Sequence, residues 1–242
     1  MAPAALIFDV DETLAETEEL HRVSFNDIFR AFGLPWEWDR ELYRELLKTG
    51  GGRERMTHYM RIRKVGPADE REAAELAKRL HAAKTELYQK LLAGRPPAVR
   101  PGVKRLIGEA RDAGVRLAIA TTSARGNVLA LLKGSFGADS PDWFAAIAAG
   151  EDADAKKPDP TVYRMALERL KLPPQACVAI EDSLIGLHAA TAAGIAAVVA
   201  PSRWTDERDF PGALAVARDL DHGPDGTPVT LARIRGWMDG KR

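Results

Sequence analysis

Short, continuous apolar runs, each bounded by turn or capping residues, recur along this chain. The four runs are ALIF (5 to 8), VRLAIAT (115 to 121), ACVAIE (176 to 181) and IAAVVA (195 to 200). Strands of a parallel sheet are buried on both faces, so they show continuous rather than alternating apolar residues. The runs therefore predict the strands of a parallel sheet.

Helical patterns lie between these runs. Two segments carry apolar residues at the i, i+3, i+4, i+7 spacing of an amphipathic helix. These residues are Val103, Leu106, Ile107 and Ala110 in one segment, and Tyr163, Ala166, Leu167 and Leu170 in the other. Alternating strands and helices predict an α/β fold with a doubly wound parallel sheet, whose ligands bind outside the carboxyl ends of the strands. Functional residues are therefore expected at the strand ends.

From about residue 16 to residue 93 the alternation stops, and helical periodicity continues without a strand pattern. Two apolar stripes mark helices here. They are Phe25, Ile28, Phe29 and Phe32 in one helix, and Leu76, Leu80, Ala83, Leu87 and Leu91 in a longer one. The pattern predicts an all-α cap domain at residues 16–94, inserted into a core domain of residues 1–15 and 95–242. A last helix is expected around residues 231 to 238.

The composition narrows the class of protein. With 242 residues, of which 45% are hydrophobic and 29% charged, the chain is typical of a folded globular protein. Its 35 Lys and Arg balance its 35 Asp and Glu, so no overall charge favours nucleic acid or an acidic membrane surface as a partner. A single cysteine, Cys177, suits a reducing compartment. Because the sequence shows neither a secretory signal nor a membrane-spanning segment, we expect a cytoplasmic protein. We also expect a monomer.

Two aspartates follow the first strand. In the string DVDET, Asp9 and Asp11 are separated by one residue, and the alternation of an extended chain directs both carboxylates the same way. Two like charges this close need a cation or a proton between them. The pair therefore indicates a metal site, or a base and an acid with separated pKa values, and the alternative is a solvated turn.

Polar residues also follow the later strands. TTSARGN, which starts at Thr121, offers hydroxyls and free N–H groups at a helix start, as an anion site does, although an ordinary N-cap has the same pattern. KKPDP places Lys156 and Lys157 just before a helix. Glu181 and Asp182 follow the buried run ACVAI, and acidic residues at a strand end indicate metal ligands.

The charges at these strand ends do not balance. Asp9, Asp11, Glu181 and Asp182 carry four negative charges against the one positive charge of Lys157, and a phosphate would add about two more. Such a site needs a divalent cation. Oxygen ligands select a hard ion, and with a phosphate present Mg²⁺ is the first choice.

The order of these motifs resembles the haloacid dehalogenase superfamily, whose phosphatases carry DxDx[TV], then a strand-end Ser or Thr, then Lys, then an acidic pair. The resemblance covers about residues 5 to 200 and is closest to the branch with a helical cap. The strings DVDETLAETEELHR, DRELYRELL, TGGGRER, RPGV, IATTS, KKPDPTVYRMAL and EDSLIGL resemble the CbbY group. The known chemistry of that group is removal of the C1 phosphate from xylulose 1,5-bisphosphate, an inhibitory by-product of carbon fixation.

The resemblance implies a role for each strand-end residue. Asp9 would be the nucleophile that becomes an aspartyl phosphate, and Asp11 the acid that protonates the leaving oxygen and then the base for water. Thr121 would bind the phosphoryl group, while Lys157 would neutralise it and hold Asp9. Mg²⁺ would be bound by Asp9, the Asp11 carbonyl and Asp182, with Glu181 just behind these ligands.

The resemblance also implies which residues surround the substrate. Besides Thr121 and Lys157, they are Glu16, His21, Gly51, Gly52, Arg53, Lys84, Thr122 and Asn127. Arg53 on a glycine-rich turn suits a second phosphate, because it is a planar donor on a mobile lid. Without the resemblance, Lys84 would be interpreted as a solvated charge on a helix.

Glu12 departs from the family pattern, which usually has glycine at this position. A glycine permits positive φ or a close approach that a glutamate resists, so the geometry of the loop is in question. The flanking Asp11 is present, and this favours phosphoryl transfer over dehalogenation, because the dehalogenases lack the second aspartate.

Three other functions are compatible with parts of this pattern. A β-phosphoglucomutase shares the cap and all four motifs and differs in whether the phosphoryl group returns to a sugar or passes to water. A signalling receiver module also uses an aspartyl phosphate, but its acceptor lies on a mid-chain strand and it has no large helical insertion. A non-catalytic binding protein is the third alternative, because of Glu12.

Overall fold

In the computed structural model, which describes residues 3–94, 96–205 and 209–240, a six-stranded parallel sheet forms the core. Its strands are β1 (Ala5–Phe8), β2 (Arg116–Ala120), β3 (Phe144–Ala148), β4 (Cys177–Glu181), β5 (Ala196–Val199) and β6 (Ala215–Val216). Their order across the sheet is β3-β2-β1-β4-β5-β6. The first strand thus lies inside the sheet, between β2 and β4, and both neighbours run parallel to it.

Nine α-helices accompany the sheet in the described part of the chain. They are α1 (Glu18–Ala31), α2 (Arg40–Leu46), α3 (Gly52–Arg63), α4 (Glu70–Gly94), α5 (Val103–Asp112), α6 (Arg125–Phe136), α7 (Thr161–Leu170), α8 (Leu184–Ala192) and α9 (Leu231–Met238). Short 3₁₀ helices at Ser140–Trp143 and Pro174–Ala176 precede β3 and β4. The expected last helix is confirmed as α9. Among the described helices, none is both long and apolar enough to cross a membrane.

Both faces of the sheet are covered, which explains the continuous apolar runs. Along β1, Leu6 and Phe8 join a core with apolar residues of α5 and α6, while Ala5 and Ile7 join a second core with residues of α7 and α8. All four residues of β1 are fully buried. The predicted α/β fold with a doubly wound parallel sheet is confirmed.

Two strands were not predicted from the apolar runs. The strand β3, with the sequence FAAIA, lies at one edge of the sheet, where its burial alternates, and its alanines do not favour a strand. At the opposite edge, β6 is only two residues long. Edge strands bury less surface, so their sequences carry a weaker signal.

Four helices, α1 to α4, follow β1 and pack around their own aromatic core. Phe25, Phe29 and Trp38 lie within ring-stacking distance of one another there. Phe32, which was expected in the same stripe, is 38% exposed because it lies at the C-cap of α1, and the Arg79 guanidinium lies over its ring. The helices fall within the predicted cap.

The boundaries at 16–94 for the cap, and at 1–15 and 95–242 for the core, stay a prediction. Residues 1, 2, 95, 206–208, 241 and 242 of the predicted core lie outside the described residues.

Candidate active site

A cavity of about 170 Å³ lies at the carboxyl ends of the strands, between the sheet and the helices α1 to α4. The parallel strands bring their ends to the same edge of the sheet, so residues far apart in sequence meet here. Asp9 and Asp11 follow β1, Thr121 follows β2, and Asp182 follows β4, and all four line the cavity.

Lys157 lies at the floor of this cavity between two carboxylates. Its Nζ is 2.7 Å from Asp9 Oδ1 and 2.7 Å from Glu181 Oε1, and all three side chains are buried. Although burial acts to lower the pKa of Lys157, the charges of Asp9 and Glu181 raise it above its ordinary value. The lysine therefore stays protonated and holds Asp9 at the end of β1.

Glu181 lies behind Lys157. Its Oε1 also accepts a hydrogen bond from the Tyr163 hydroxyl, so its orientation is set by two buried donors. Gly186 at the start of α8 allows the close approach of this carboxylate, because a Cβ at Gly186 would clash with Glu181 Oε2. Any side chain at residue 186 would displace Glu181.

Asp9, Glu181 and Asp182 form an acidic cluster in which ligand oxygens from the three side chains lie within 4.8 Å of one another. Burial raises the pKa of Asp9 to about 7; the Lys157 charge opposes this effect and the Glu181 charge adds to it. Burial also raises the pKa of Asp182 well above its ordinary value, and the neighbouring carboxylates act in the same direction. The cluster has more negative charge than Lys157 alone balances.

Three side chains, none of them Lys157, donate hydrogen bonds to the Asp11 carboxylate. Its Oδ1 accepts hydrogen bonds from the Thr17 hydroxyl at 2.6 Å and from His21 Nε2 at 3.0 Å, and its Oδ2 accepts one from the Ser123 hydroxyl. Burial acts to raise the pKa of Asp11, but His21 and these hydrogen bonds hold it below its ordinary value. The carboxylate is thus kept ionised and oriented at the cavity.

His21 and Lys84 form a buried pair in the cap. The Lys84 ammonium contacts His21 Nδ1, and the His21 ring stacks on Tyr88 at a centroid distance of 3.9 Å. Lys84 is 4% exposed, and its ammonium lies over the rings of Phe25 and Tyr88. Burial lowers the pKa of Lys84 to about 7. The side chain is therefore part of the cavity wall and not a solvated helix charge.

Most of the other predicted substrate residues line the cavity. Gly51, Gly52, Thr122 and Asn127 line the cavity together with Thr121, whose Oγ1 accepts a hydrogen bond from Ser123 N at 3.2 Å. This bond leaves the Thr121 hydroxyl proton available to a phosphoryl oxygen.

Glu16 and Arg53 lie apart from the residues that line the cavity. Glu16 is exposed, with its Oε2 4.0 Å from Arg203 Nη2. Arg53 donates to Glu54 Oε1 at 3.0 Å, and its side chain is 56% exposed. To reach a substrate, Arg53 would have to leave Glu54 and turn inward from the glycine turn.

Arg55 and His81 are among the cavity residues that were not identified from the sequence, whereas Ser123 belongs to the hydroxyl-rich strand end that was. Arg55, two residues after Arg53, is buried and donates to the Tyr43 hydroxyl and to the Leu46 carbonyl. His81 also lines the cavity, and burial lowers its pKa to about 4. Ser123 contacts Asp11, and the hydroxyl-rich string TTS is the sequence signal that points to it.

Glu12 adopts a conformation that is uncommon for a side-chain-bearing residue. Its φ is 57°, its side chain is almost completely buried, and burial raises its pKa to about 7. The loop therefore keeps the left-handed geometry that glycine favours, with a glutamate in its place.

The parallel sheet with a helical insertion after its first strand places the chain among α/β proteins, and the matching hydrolase family and phosphatase relatives support a phosphoric monoester hydrolase. The chain belongs to the haloacid dehalogenase-like hydrolases, because the model of that family matches residues 3–194.

Within that family the chain is similar to the CbbY proteins. It is 49% identical to protein CbbY of Cereibacter sphaeroides over 209 residues, which cover 86% of this chain and 89% of that protein. It is 44% identical over 248 residues to the plasmid protein CbbY of Cupriavidus necator, covering 98% of this chain and 97% of that protein. A crystal structure of mutant CbbY from Rhodobacter sphaeroides in complex with xylulose 1,5-bisphosphate has a TM-score of 0.83 and 47% identity, covering 90% of this chain and 94% of that chain.

Proposed function

We propose that this protein is a Mg²⁺-dependent phosphatase that removes one phosphate from xylulose 1,5-bisphosphate through an aspartyl phosphate on Asp9. The observation that carries the proposal is the Asp9 carboxylate at the end of β1, held by Lys157 at 2.7 Å beside a cluster of acidic oxygens. The substrate is taken from the similarity to CbbY, one structure of which contains that bisphosphate. Location in the cytoplasm and a monomeric state stay predictions.

Side chains of this protein can carry out both halves of such a reaction, which are the formation and the hydrolysis of the aspartyl phosphate. A carboxylate oxygen of Asp9 attacks phosphorus, and the sugar oxygen leaves with a proton from Asp11. Water then attacks the phosphorus of the aspartyl phosphate, and Asp11 takes its proton. His21 Nε2, 3.0 Å from Asp11 Oδ1, is placed to pass on the proton that the first half requires, while His21 Nδ1 takes a proton in exchange from the Lys84 ammonium that contacts it.

The acidic cluster fits a magnesium ion. Its donors are carboxylate oxygens, which are the ligands that hard divalent cations prefer. Burial, together with the neighbouring carboxylates, raises the pKa values of Asp9 and Asp182, and a cation bound here would favour their ionised forms. Asp9 and Asp182 would hold the ion, and bound Mg²⁺ would stabilise the negative charge of the phosphoryl group.

Asp182→Asn is expected to raise the Mg²⁺ concentration required for half-maximal turnover by about 10- to 100-fold. The amide keeps the shape of the side chain and removes one charged ligand. Phosphate release is measured against Mg²⁺ concentration for the wild type and for Asp154→Asn, an exposed control with the same chemical change. Turnover of the wild type that persists in excess chelator would refute the dependence on Mg²⁺.

The substrate is tested by phosphate release across a panel of sugar mono- and bisphosphates. We expect the highest kcat/KM with xylulose 1,5-bisphosphate, with one equivalent of phosphate released per sugar. A β-phosphoglucomutase would instead convert β-glucose 1-phosphate to an isomeric sugar phosphate with little free phosphate. That outcome would overturn the phosphatase assignment.

Arg53→Ala is expected to lower kcat/KM for the bisphosphate by about 10- to 100-fold, because a charge-assisted contact contributes about 1.5 to 3 kcal/mol. The phosphate that is not cleaved needs a cationic partner, and Arg53 lies beside the glycine turn that lines the cavity. Small phosphate monoesters should be affected much less. Arg61→Ala, an exposed arginine on the same helix, is the control, and equal losses on both substrate types would show that Arg53 does not bind the second phosphate.

A further inference from the structure

The start of helix α1 is capped in an unusual way. Thr17 occupies the N-cap position, where a threonine hydroxyl ordinarily accepts a hydrogen bond from an N–H of the first turn. Among the described residues Thr17 makes no such capping bond, and its hydroxyl donates to Asp11 Oδ1 at 2.6 Å instead. The first N–H of the helix, from Glu18, donates to Glu12 Oε1 at 2.9 Å.

These two bonds join consecutive residues of the loop to consecutive residues of the helix. Asp11 is bonded to Thr17, and Glu12 is bonded to Glu18. Because Glu18 directly follows Thr17, the Glu12 bond restricts where the Thr17 hydroxyl lies relative to Asp11. A residue without an acceptor at position 12 would leave the first N–H of α1 without this partner.

Glu12 is itself firmly attached to the core. Its N–H donates to the Ala15 carbonyl at 3.0 Å, and its carbonyl accepts a hydrogen bond from Arg100. Arg100 in turn donates to the carbonyls of Ala200 at 2.7 Å and Pro201 at 2.9 Å, in the loop that follows β5. Glu12 is only 2% exposed, and its hydrogen bonds connect the core to the first helix of the cap.

We propose that Glu12 is a positioning residue for Asp11: it caps α1 from the loop after β1 and so keeps the Thr17 hydroxyl on the Asp11 carboxylate. The inference rests on the role of Asp11 in the proposed function. The glutamate that stands where the family usually has glycine thus helps to orient Asp11. In this chain the cap helix is joined to the loop of the nucleophile by a side chain as well as by the backbone.

The test is a double-mutant cycle on Glu12 and Thr17. We expect Glu12→Gly and Thr17→Val each to lower kcat about tenfold with little change in KM, the factor that corresponds to one hydrogen bond. Because both changes remove the same restraint on Asp11, the double variant should also lose about tenfold and not a hundredfold. Glu12→Gln and Thr17→Ser keep the acceptor and the donor and should retain most of the wild-type kcat.

Thermal unfolding separates positioning from folding. Glycine accepts the positive φ of residue 12 more readily than glutamate, and this gain opposes the loss of the helix cap. The unfolding temperature of Glu12→Gly should therefore stay within about 4 °C of the wild type, since larger shifts in a chain of this length indicate a general loss of stability. A larger fall together with the loss of kcat would show a structural role only.

Two results would overturn the inference. Multiplicative losses in the double variant would show that Glu12 does not act through Thr17, and an unchanged kcat in Glu12→Gly would show that it does not position Asp11. A crystal structure of Glu12→Gly gives an independent answer, because an unaltered bond between Thr17 Oγ1 and Asp11 Oδ1 would contradict the inference whatever the activity. Failure of the proposed function would differ: the wild type itself would then release no phosphate from the substrate panel.

Discussion

Asp9→Asn is expected to lower turnover by more than about 10⁴-fold, the order of loss seen when a catalytic nucleophile is removed. The amide is a much weaker nucleophile than the carboxylate, and it removes the negative charge that Lys157 contacts at 2.7 Å. Lys157 retains its contact with Glu181, so we expect the variant to fold. The measurement is phosphate release under saturating substrate and Mg²⁺, with the unfolding temperature determined in parallel.

The control for this prediction has to exclude recovery of aspartate by deamidation. Mass spectrometry of the Asp9→Asn protein before and after the assay measures that fraction directly. Asp154→Asn, on an exposed loop, carries the same chemical change away from the cavity and should keep full activity. Rapid turnover by undeamidated Asp9→Asn would contradict the assignment of Asp9 as the nucleophile.

Asp11→Asn is expected to slow turnover by about 10²- to 10⁴-fold, the usual contribution of general acid–base catalysis. The aspartyl phosphate should still form from an activated ester such as p-nitrophenyl phosphate, whose leaving group needs no proton. Its hydrolysis requires a base for water, so the intermediate should accumulate. Rapid-quench kinetics should therefore show a burst of one equivalent of p-nitrophenol, followed by a slow steady state.

Two outcomes would contradict this role of Asp11. A single slow phase without a burst would show that Asp11→Asn mainly slows the formation of the aspartyl phosphate. Undiminished turnover would show that Asp11 takes no part in the reaction. The Asp9→Asn variant is the matched control for the burst, because it cannot form the aspartyl phosphate.

Much of the candidate site could be located from the sequence, because strand-end residues are defined by local patterns. The apolar runs that predicted β1, β2 and β4 also marked where those strands end. In a parallel sheet those ends meet, so the proximity of Asp9, Thr121 and Asp182 follows from the strands themselves. The same reasoning did not find β3, because its alanine-rich sequence at the sheet edge lacks the pattern of a buried strand.

The positions of cap side chains could not be derived in this way. Arg53 and Arg55 are two residues apart on α3, and residues at that spacing point to different sides of a helix. The sequence offers no basis for deciding which arginine lines the cavity, and in the structure it is Arg55. Lys84 contacts His21 across 63 residues of sequence, and this contact depends on the packing of α4 against α1.

The sequence by itself determined the α/β fold class, the helical insertion and the order of the strand-end residues, because each of these depends on short-range periodicity or spacing. Only the tertiary structure decided that Lys84 is buried, that Arg53 pairs with Glu54 and that Glu12 caps α1. Burial and hydrogen bonding depend on elements that are distant in sequence and are brought together by packing. For Glu12, the partner at Glu18 is close in sequence, but the left-handed backbone that aims its carboxylate at α1 is held by Arg100 from the core.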